Sequence, residues 1–401
     1  MRVFTTLALT TAVVTMTLAQ GSSRQVFPAT AGLPFSAAVK ADGLIYVSGT
    51  LATLASSPRE VVKGDVKAQT RQVLDNIAAT LKTAGSSLSN AASVMVYLRN
   101  VSDFAAMNEV YRASWPKDPP ARTTVIVTAP LALADALVEI SMVAVPAGAE
   151  RVVVHPGDWM ASPNPYSYGI RTGKTLFLSG LVSRNGKDNA VVKGDMASQT
   201  KTVLDNGAAI LKAAGMTYGD VVSARVFITD PEKFQDMNAA YRTYFPANPP
   251  ARATVKTGLA GPDYLVEITM VAVKDTPHTA ITTPNADGSA GTANPNLSSA
   301  IRVGNRLYVS GTLGNTPASK GDVKAQTAEA LTRIGRTLKA AGFEWTNVAD
   351  GIVYLPDMSR FQDMNAAYAA VITKDFPARA TVGAGMMAAD GLVEIMFTAA
   401  R

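Results

Sequence analysis

The sequence has no cysteine and only two histidines, and each shortage excludes a kind of site. Without thiols the chain cannot form disulfides, zinc–thiolate sites, iron–sulfur clusters or a cysteine nucleophile. Two imidazoles are too few for several multi-histidine metal centres, or for a Ser-His-Asp triad in each of several domains. Charged residues make up only 17% of the chain, and the net charge of +6 is mild. The composition therefore does not argue for a nucleic-acid partner, and we expect none.

The first residues have the pattern of a targeting segment. Arg2 is followed by a short apolar stretch diluted by threonines, with small residues at Thr17 and Ala19. The stretch is too short and too polar for a comfortable membrane span, and it is typical of a signal peptide over residues 1–19. The alternative is a buried N-terminal strand or helix. We expect an exported protein, periplasmic or secreted, without stable membrane association after cleavage.

The most informative pattern in the chain is internal repetition. KGDVKAQT occurs at 63–70 and again at 320–327, and a Ser-Gly pair recurs at a constant spacing of 131 residues. A period of this size is a whole domain rather than a solenoid repeat. We therefore divide the chain into a first, a second and a third unit, with a flexible linker before the third. The first unit, the second unit, the linker and the third unit span 25–146, 151–274, 275–289 and 290–401.

Each unit has the same order of predicted elements. In the first unit, LIYVSG at 44–49 is typical of a strand, and Asp65 is the expected N-cap of a helix that ends at Gly85. A strand, a shorter helix from Phe104 and two closing strands follow. The order β-β-α-β-α-β-β, with helices on one face of the sheet, predicts an α+β fold. The bare sheet face must be covered, and the neighbouring units are the obvious candidates.

Two charged residues stand out in each unit. An arginine follows Pro-Ala before a predicted strand, and a glutamate lies within the apolar strand motif Val-Glu-Ile. A guanidinium offers a planar fork to a carboxylate, whereas a half-buried carboxylate needs a partner or a function. Their spacing of 15 to 17 residues predicts sequential strands of one hairpin, where the pair either binds a ligand or merely forms an ion pair. The six residues are Arg122, Glu139, Arg252, Glu267, Arg379 and Glu394.

These motifs resemble the RidA/YjgF family of enamine and imine deaminases. The Ser-Gly pair, the Gln-Thr of the long helix, the FxxxNxxY helix, Pro-Ala-Arg and Val-Glu-Ile together cover nearly all of each unit. The resemblance implies chorismate-mutase-like α+β units that form trimers, with sheets inside, helices outside and ligand clefts between subunits. Three tandem copies in one chain then imply a single-chain pseudo-trimer, and hence a monomer.

The resemblance also implies hydrolytic deamination of small 2-imino or enamine carboxylic acids to 2-keto acids and ammonia, with no cofactor or metal. The arginine would hold the substrate carboxylate, and the glutamate would orient the attacking water. The asparagines of the short helices border the implied cleft or, equally, make a helix-end hydrogen bond. The implied substrate-binding residues are Ser48, Gly49, Ser179, Gly180, Ser310, Gly311, Asn108, Asn238, Asn365 and Tyr166.

The units differ from the family pattern in two places. Only the second unit has a tyrosine, Tyr166, where the others have Phe35 and Leu297, so we expect unequal sites with the best one served by Tyr166. Two residues past the arginine, family members often have cysteine, whereas this chain has threonine in all three units.

Two other functions stay open at this point. The arginine clefts would bind small carboxylates without turnover, or the chain would act as a holdase-like protective protein. A ribonuclease role, also proposed within the family, would here lack a concentrated Lys/Arg run or a histidine pair.

Overall fold

The computed structural model describes residues 24–29, 32–54 and 56–401. The signal peptide expected at 1–19 lies outside these residues. Within the described part of the chain, no helix is both long and apolar enough to cross a membrane.

Each unit contains two α-helices and a mixed β-sheet. The helices, two per unit in chain order, are Val66–Thr83, Phe104–Ser114, Met196–Ala213, Phe234–Arg242, Val323–Ala340 and Phe361–Val371. The first unit's strands are Gln25–Pro28, Ser36–Ala41, Leu44–Thr50, Thr53–Leu54, Ser57–Val61, Ala91–Leu98, Ala121–Ile126 and Val138–Ala144. The second unit's are Val152–Val154, Gly169–Thr172, Thr175–Leu178, Val221–Ile228, Ala251–Lys256, Gly258–Leu259 and Val266–Val273. The third unit's are His278–Ile281, Ala300–Val303, Arg306–Leu313, Val348–Leu355, Ala378–Gly383, Gly385–Met386 and Glu394–Ala400.

The long helices begin and end as the sequence predicts. The side chain of Asp65 accepts the backbone N–H of Ala68 at 3.0 Å, which is an N-cap, and Asp195 and Asp322 cap the equivalent helices. Gly85 follows the first helix with a φ of +77°, a left-handed conformation in which glycine is favoured. The apolar stripe on this helix is buried against the sheet of its own unit. The predicted helix therefore forms because the capping residues and the helical spacing of its apolar residues define the same segment.

The arginine and glutamate strands of one unit do not form a hairpin, so this expectation is wrong. Strand Ala91–Leu98 lies between them, parallel to Ala121–Ile126 and antiparallel to Val138–Ala144. The reason is the helix Phe104–Ser114, which connects the first two of these strands as a crossover and so makes them parallel neighbours. The same order recurs in the other two units.

The three units close on one another as a pseudo-trimer, with sheets inside and helices outside. Each unit has its own core between helices and sheet, and further apolar clusters join sheet faces of different units. Backbone pairing also crosses the boundaries. Gly258 pairs with Ile126, Gly385 with Lys256, and Ser36 with Ala378. The sheet face that each unit would otherwise expose is thus covered by its neighbours.

The segment interpreted as a flexible linker contains a strand. His278–Ile281 pairs antiparallel with Ala300–Val303 and forms the edge of the third unit's sheet. The surrounding Pro and Gly residues are typical of a linker, and the sequence therefore did not predict this strand. Thr279 and Ile281 are nevertheless β-branched and fit a strand. The third unit's sheet therefore begins earlier than residue 290.

Candidate active site

Each arginine of the Pro-Ala-Arg motif is buried and held by the short helix of its own unit. The guanidinium of Arg122 donates to Oδ1 of Asn108 at 2.7 Å and lies 4.7 Å from the centre of the Tyr111 ring. Cation–π contact and the amide oxygen together fix the plane of the guanidinium. Asn238 and Asn365 hold Arg252 and Arg379 in the same way, at 2.7 and 2.6 Å. The asparagines therefore position the arginines rather than cap a helix.

The Ser-Gly pair of the next unit closes over the arginine backbone. The backbone N–H of Arg122 donates to Oγ of Ser179 at 2.8 Å, and that hydroxyl donates to the carbonyl of Ser167 at 2.6 Å. The backbone N–H of Gly180 donates to the carbonyl of Arg122 at 3.1 Å. Because the Ser179 hydroxyl accepts one of these hydrogen bonds and donates the other, it joins two units instead of facing a ligand. Ser310 and Ser48 make the same contact to Arg252 and Arg379.

The glycine of this pair leaves room for the glutamate carboxylate. A Cβ atom at Gly180 would lie 1.9 Å from Oε1 of Glu267, and at Gly49 and Gly311 it would meet Glu139 and Glu394 equally closely. Any side chain at these positions would displace the carboxylate. The glycine is therefore required by the site itself.

Arginine and glutamate come together across unit boundaries, not within a unit. The positive charge of Arg122 in the first unit lowers the pKa of Glu267 in the second unit. The backbone N–H of Thr124 donates a hydrogen bond to the same carboxylate. The other two clefts pair Arg252 with Glu394 and Arg379 with Glu139. In the described residues, none of these pairs forms a direct salt bridge. The simple ion-pair interpretation therefore does not fit, because the two groups are not in direct contact.

The buried carboxylates are in an environment that favours their neutral form. Burial raises the pKa of Glu267 to about 8, although the Thr124 N–H and Arg122 act in the opposite direction. Burial likewise raises the pKa of Glu139 and of Glu394 to about 8. Near neutral pH these groups are thus largely protonated acids, able both to donate and to accept a hydrogen bond.

A threonine hydroxyl beside each carboxylate is a site feature for which sequence reasoning predicted no role. Oγ1 of Thr124 is buried and has no hydrogen-bond partner within the described residues, and the same is true of Thr254 and Thr381. Unpaired buried hydroxyls are costly and uncommon, so three at one repeated position indicate a group prepared for a ligand or water. The signal in the sequence was the threonine in place of cysteine in all three units.

The three clefts differ in what covers the arginine. The Tyr166 ring, from the second unit, lies 5.8 Å from the Arg122 guanidinium, and Phe35 of the first unit lies 5.5 Å from that of Arg379. Among the described residues, the aromatic rings next to Arg252 are Phe234 and Tyr241 of its own unit. Within the described part of the chain, Nε and Nη1 of Arg252 have no hydrogen-bond partner. Donors are thus available to a ligand in this cleft.

Fold and clefts define a class of protein: a single chain of three α+β units with an arginine–glutamate cleft at each boundary. The family model described as endoribonuclease L-PSP matches residues 27–146, 158–274 and 289–401. The chain therefore belongs to this family, which is the RidA/YjgF family, and contains three tandem copies of its domain.

Individual relatives correspond to one unit each. A RutC family protein of Sulfurisphaera tokodaii is 44% identical over 110 residues, which are 27% of this chain and 88% of that protein. One from Pyrococcus horikoshii is 43% identical over 111 residues, 28% of this chain and 88% of that protein.

A solved structure extends the similarity beyond one unit. The crystal structure of a chorismatase covers 78% of this chain and 93% of its own, with a TM-score of 0.54 and 16% sequence identity. At this identity the likeness concerns the fold alone. It shows that the arrangement of units described above has a counterpart in a solved structure.

Proposed function

We propose that this protein hydrolyses small 2-imino or enamine carboxylic acids to 2-keto acids and ammonia in its inter-unit clefts. Membership of the family supports a function among enamine/imine deaminases or endoribonuclease-like proteins. The observation that favours deamination is a buried cleft in which Arg252, with two unpaired N–H donor atoms in the described residues, lies near the Glu394 carboxyl group, whose pKa is raised by burial. A small substrate with one carboxylate and a neighbouring C=N bond fits these two groups.

The arginine has the role of substrate binding. Within the described residues Nε and Nη1 of Arg252 have no hydrogen-bond partner, so each can donate a charge-assisted hydrogen bond to a ligand, and the guanidinium charge attracts a carboxylate. Asn238 and Tyr241 keep its plane fixed, which lowers the entropy cost of binding. The C=N carbon of the bound substrate then faces the glutamate of the other unit.

The glutamate has the role of proton relay. A water molecule between Glu394 and the substrate adds its oxygen to the C=N carbon, and the π electrons move to nitrogen, which takes the acid proton. The carboxylate takes the proton that the water releases, so the acid is regenerated. The carbinolamine then loses ammonia: the C–N bond breaks, nitrogen takes the acid proton, and the hydroxyl proton returns to the carboxylate. We assign to the Thr254 hydroxyl, which is buried and unpaired within the described residues, the role of holding the water during addition.

Ammonia release tests the proposal directly. Enzymatically generated 2-aminoacrylate is supplied to the purified chain, and ammonia and 2-keto acid are measured against the uncatalysed rate. Catalysed release supports the deaminase. Stabilisation of the fold by 2-ketobutyrate without turnover would instead indicate a carboxylate-binding protein, and neither effect would favour a protective role. Export, which follows only from the first residues, is checked by whether residues 1–19 are absent from the mature protein.

A further inference from the structure

A cavity lies where the three units meet, away from the clefts. Its walls come from equivalent positions of all three units, including Tyr46, Phe177 and Tyr308. Because one such position per unit surrounds it, the cavity lies on the pseudo-threefold axis. We call it the axial chamber, and its volume is about 70 Å³.

The axial chamber contains two charges that break the threefold symmetry. The ring formed by Ser93 and Ser223 is completed by Asp350, and the ring that contains Met95 also contains Arg225. The second unit thus contributes a cation and the third an anion, whereas the first contributes neither. Burying a charged group is costly unless a partner of opposite charge or a hydrogen bond offsets the loss of water. We therefore expect a compensating interaction for both Arg225 and Asp350.

The two charges do not satisfy each other. The nearest contact, from Nη2 of Arg225 to Oδ2 of Asp350, is 3.9 Å, which is longer than a charge-assisted hydrogen bond. Their side chains are only 22% and 19% exposed. Within the described residues the Arg225 guanidinium, which has five N–H groups, makes no charge-assisted hydrogen bond to a carboxylate.

Further unpaired groups lie close by. Tyr97 and Tyr354 lie near enough to Arg225 to raise the pKa of its guanidinium. Their buried hydroxyls have no hydrogen-bond partner within the described part of the chain. Ser141 and Thr269 add hydroxyl groups to the wall. The chamber is therefore electrically neutral as a whole, with two opposite charges and several hydroxyl groups among mainly apolar walls.

We propose that the axial chamber binds a small zwitterion, an α-amino acid of the size of glycine, alanine or serine. The carboxylate would bind to Arg225 and the ammonium group to Asp350. An anion or a cation alone would leave one charge of the chamber uncompensated, whereas a zwitterion compensates both. The volume corresponds to about five to seven water-sized positions, which suits a ligand of this size. This site is independent of the deaminase proposal, because none of the cleft arginines or glutamates lines it.

Calorimetry with glycine on the full chain tests this site. At pH 8 Asp350 is ionised, because burial raises its pKa only to about 6. We expect one glycine site per chain. Acetate and methylammonium should bind to it with at least about tenfold lower affinity, since each offers only one of the two charged contacts. Acetate also reports any binding at the cleft arginines. Failure of glycine, alanine and serine to bind at millimolar concentration would overturn the proposal.

The chain itself offers the variants that locate the site. Arg225→Met and Asp350→Ser introduce residues that the first unit already has at these positions, Met95 and Ser93. Each should weaken glycine binding at least about tenfold. Ser141→Leu keeps both charges and fills the space, so it serves if the charge variants do not fold. Unchanged glycine binding in Ser141→Leu or in a folded Arg225→Met protein would contradict the assignment. As a control for independence from the clefts, the variant with all three cleft glutamates changed to glutamine should still bind glycine.

Discussion

Arg122 and Glu267 share one buried cleft although they belong to different units. The backbone N–H of Thr124, two residues past the arginine, donates to the Glu267 carboxylate, and Gly180 leaves that carboxylate its space. The unit boundary is thus part of the site. A unit separated from its neighbours would have an arginine and a glutamate but no cleft between them.

Removing the acid should separate catalysis from binding. The triple variant Glu139→Gln, Glu267→Gln and Glu394→Gln keeps size and hydrogen-bonding groups but cannot release a proton. We expect ammonia release to fall by about 10²–10⁴-fold, with 2-keto acid affinity near that of the parent. Glu232→Gln, on the surface, is the matched control. Parent-like deamination by a folded triple variant would show that the glutamates are not catalytic.

Stability should depend on pH through the same glutamates. Their folded pKa of about 8 is above the unfolded value of about 4.3, so the folded chain binds more protons between these limits. The glutamate contribution to stability is therefore largest at the acidic end and is lost as pH rises through about 8. Urea unfolding from pH 5 to pH 9 measures this fall, and the triple glutamine variant should show a smaller one. Equal slopes for both proteins would mean that the carboxylates ionise normally.

The unpaired threonine hydroxyls should support turnover and lower the stability of the fold. In the triple variant Thr124→Val, Thr254→Val and Thr381→Val, shape is kept and an unsatisfied buried hydroxyl is removed at each site. We expect the free energy of unfolding to rise by about 1 kcal/mol per site, and ammonia release to fall by at least about tenfold. Serine at the same positions retains the hydroxyl and should retain activity. If valine variants were fully active, the hydroxyls would have no part in holding water.

The clefts should be unequal. The Tyr166 ring covers Arg122, whereas Leu297 offers no aromatic cover to Arg252. Of these three positions only Tyr166 also has a hydroxyl group, so Tyr166→Phe should weaken 2-ketobutyrate binding, measured by calorimetry, more than Phe35→Ala or Leu297→Ala. Similar losses for all three substitutions would mean that the tyrosine hydroxyl adds nothing to its cleft.

The chain should be a monomer in solution. Apolar clusters between units cover the sheet faces that a separate unit would expose, so no further copy is needed to cover them. Light scattering at micromolar concentration should give a mass near that of one chain. A mass near three chains would instead indicate that units of different chains assemble.

Sequence patterns alone are enough to identify the repeat, the units and their helices. A 131-residue spacing is visible without any structure, and the Asp65 cap, the apolar stripe and Gly85 define a helix through local rules. Both members of each arginine–glutamate pair were also recognisable, because a charge in an apolar strand is unusual.

Which arginine meets which glutamate depends on how the units pack, and the sequence pattern pointed to the wrong pairs. Spacing suggested Arg122 with Glu139, but the crossover helix puts strand Ala91–Leu98 between them. The packing of the units also brought Arg225 and Asp350 to one chamber, although in the sequence each is a single charge in a different strand. Local pattern decides which residues are buried in a unit. Contacts between units depend on how sheet faces pack, and that packing is a property of the closed chain, which no local pattern encodes.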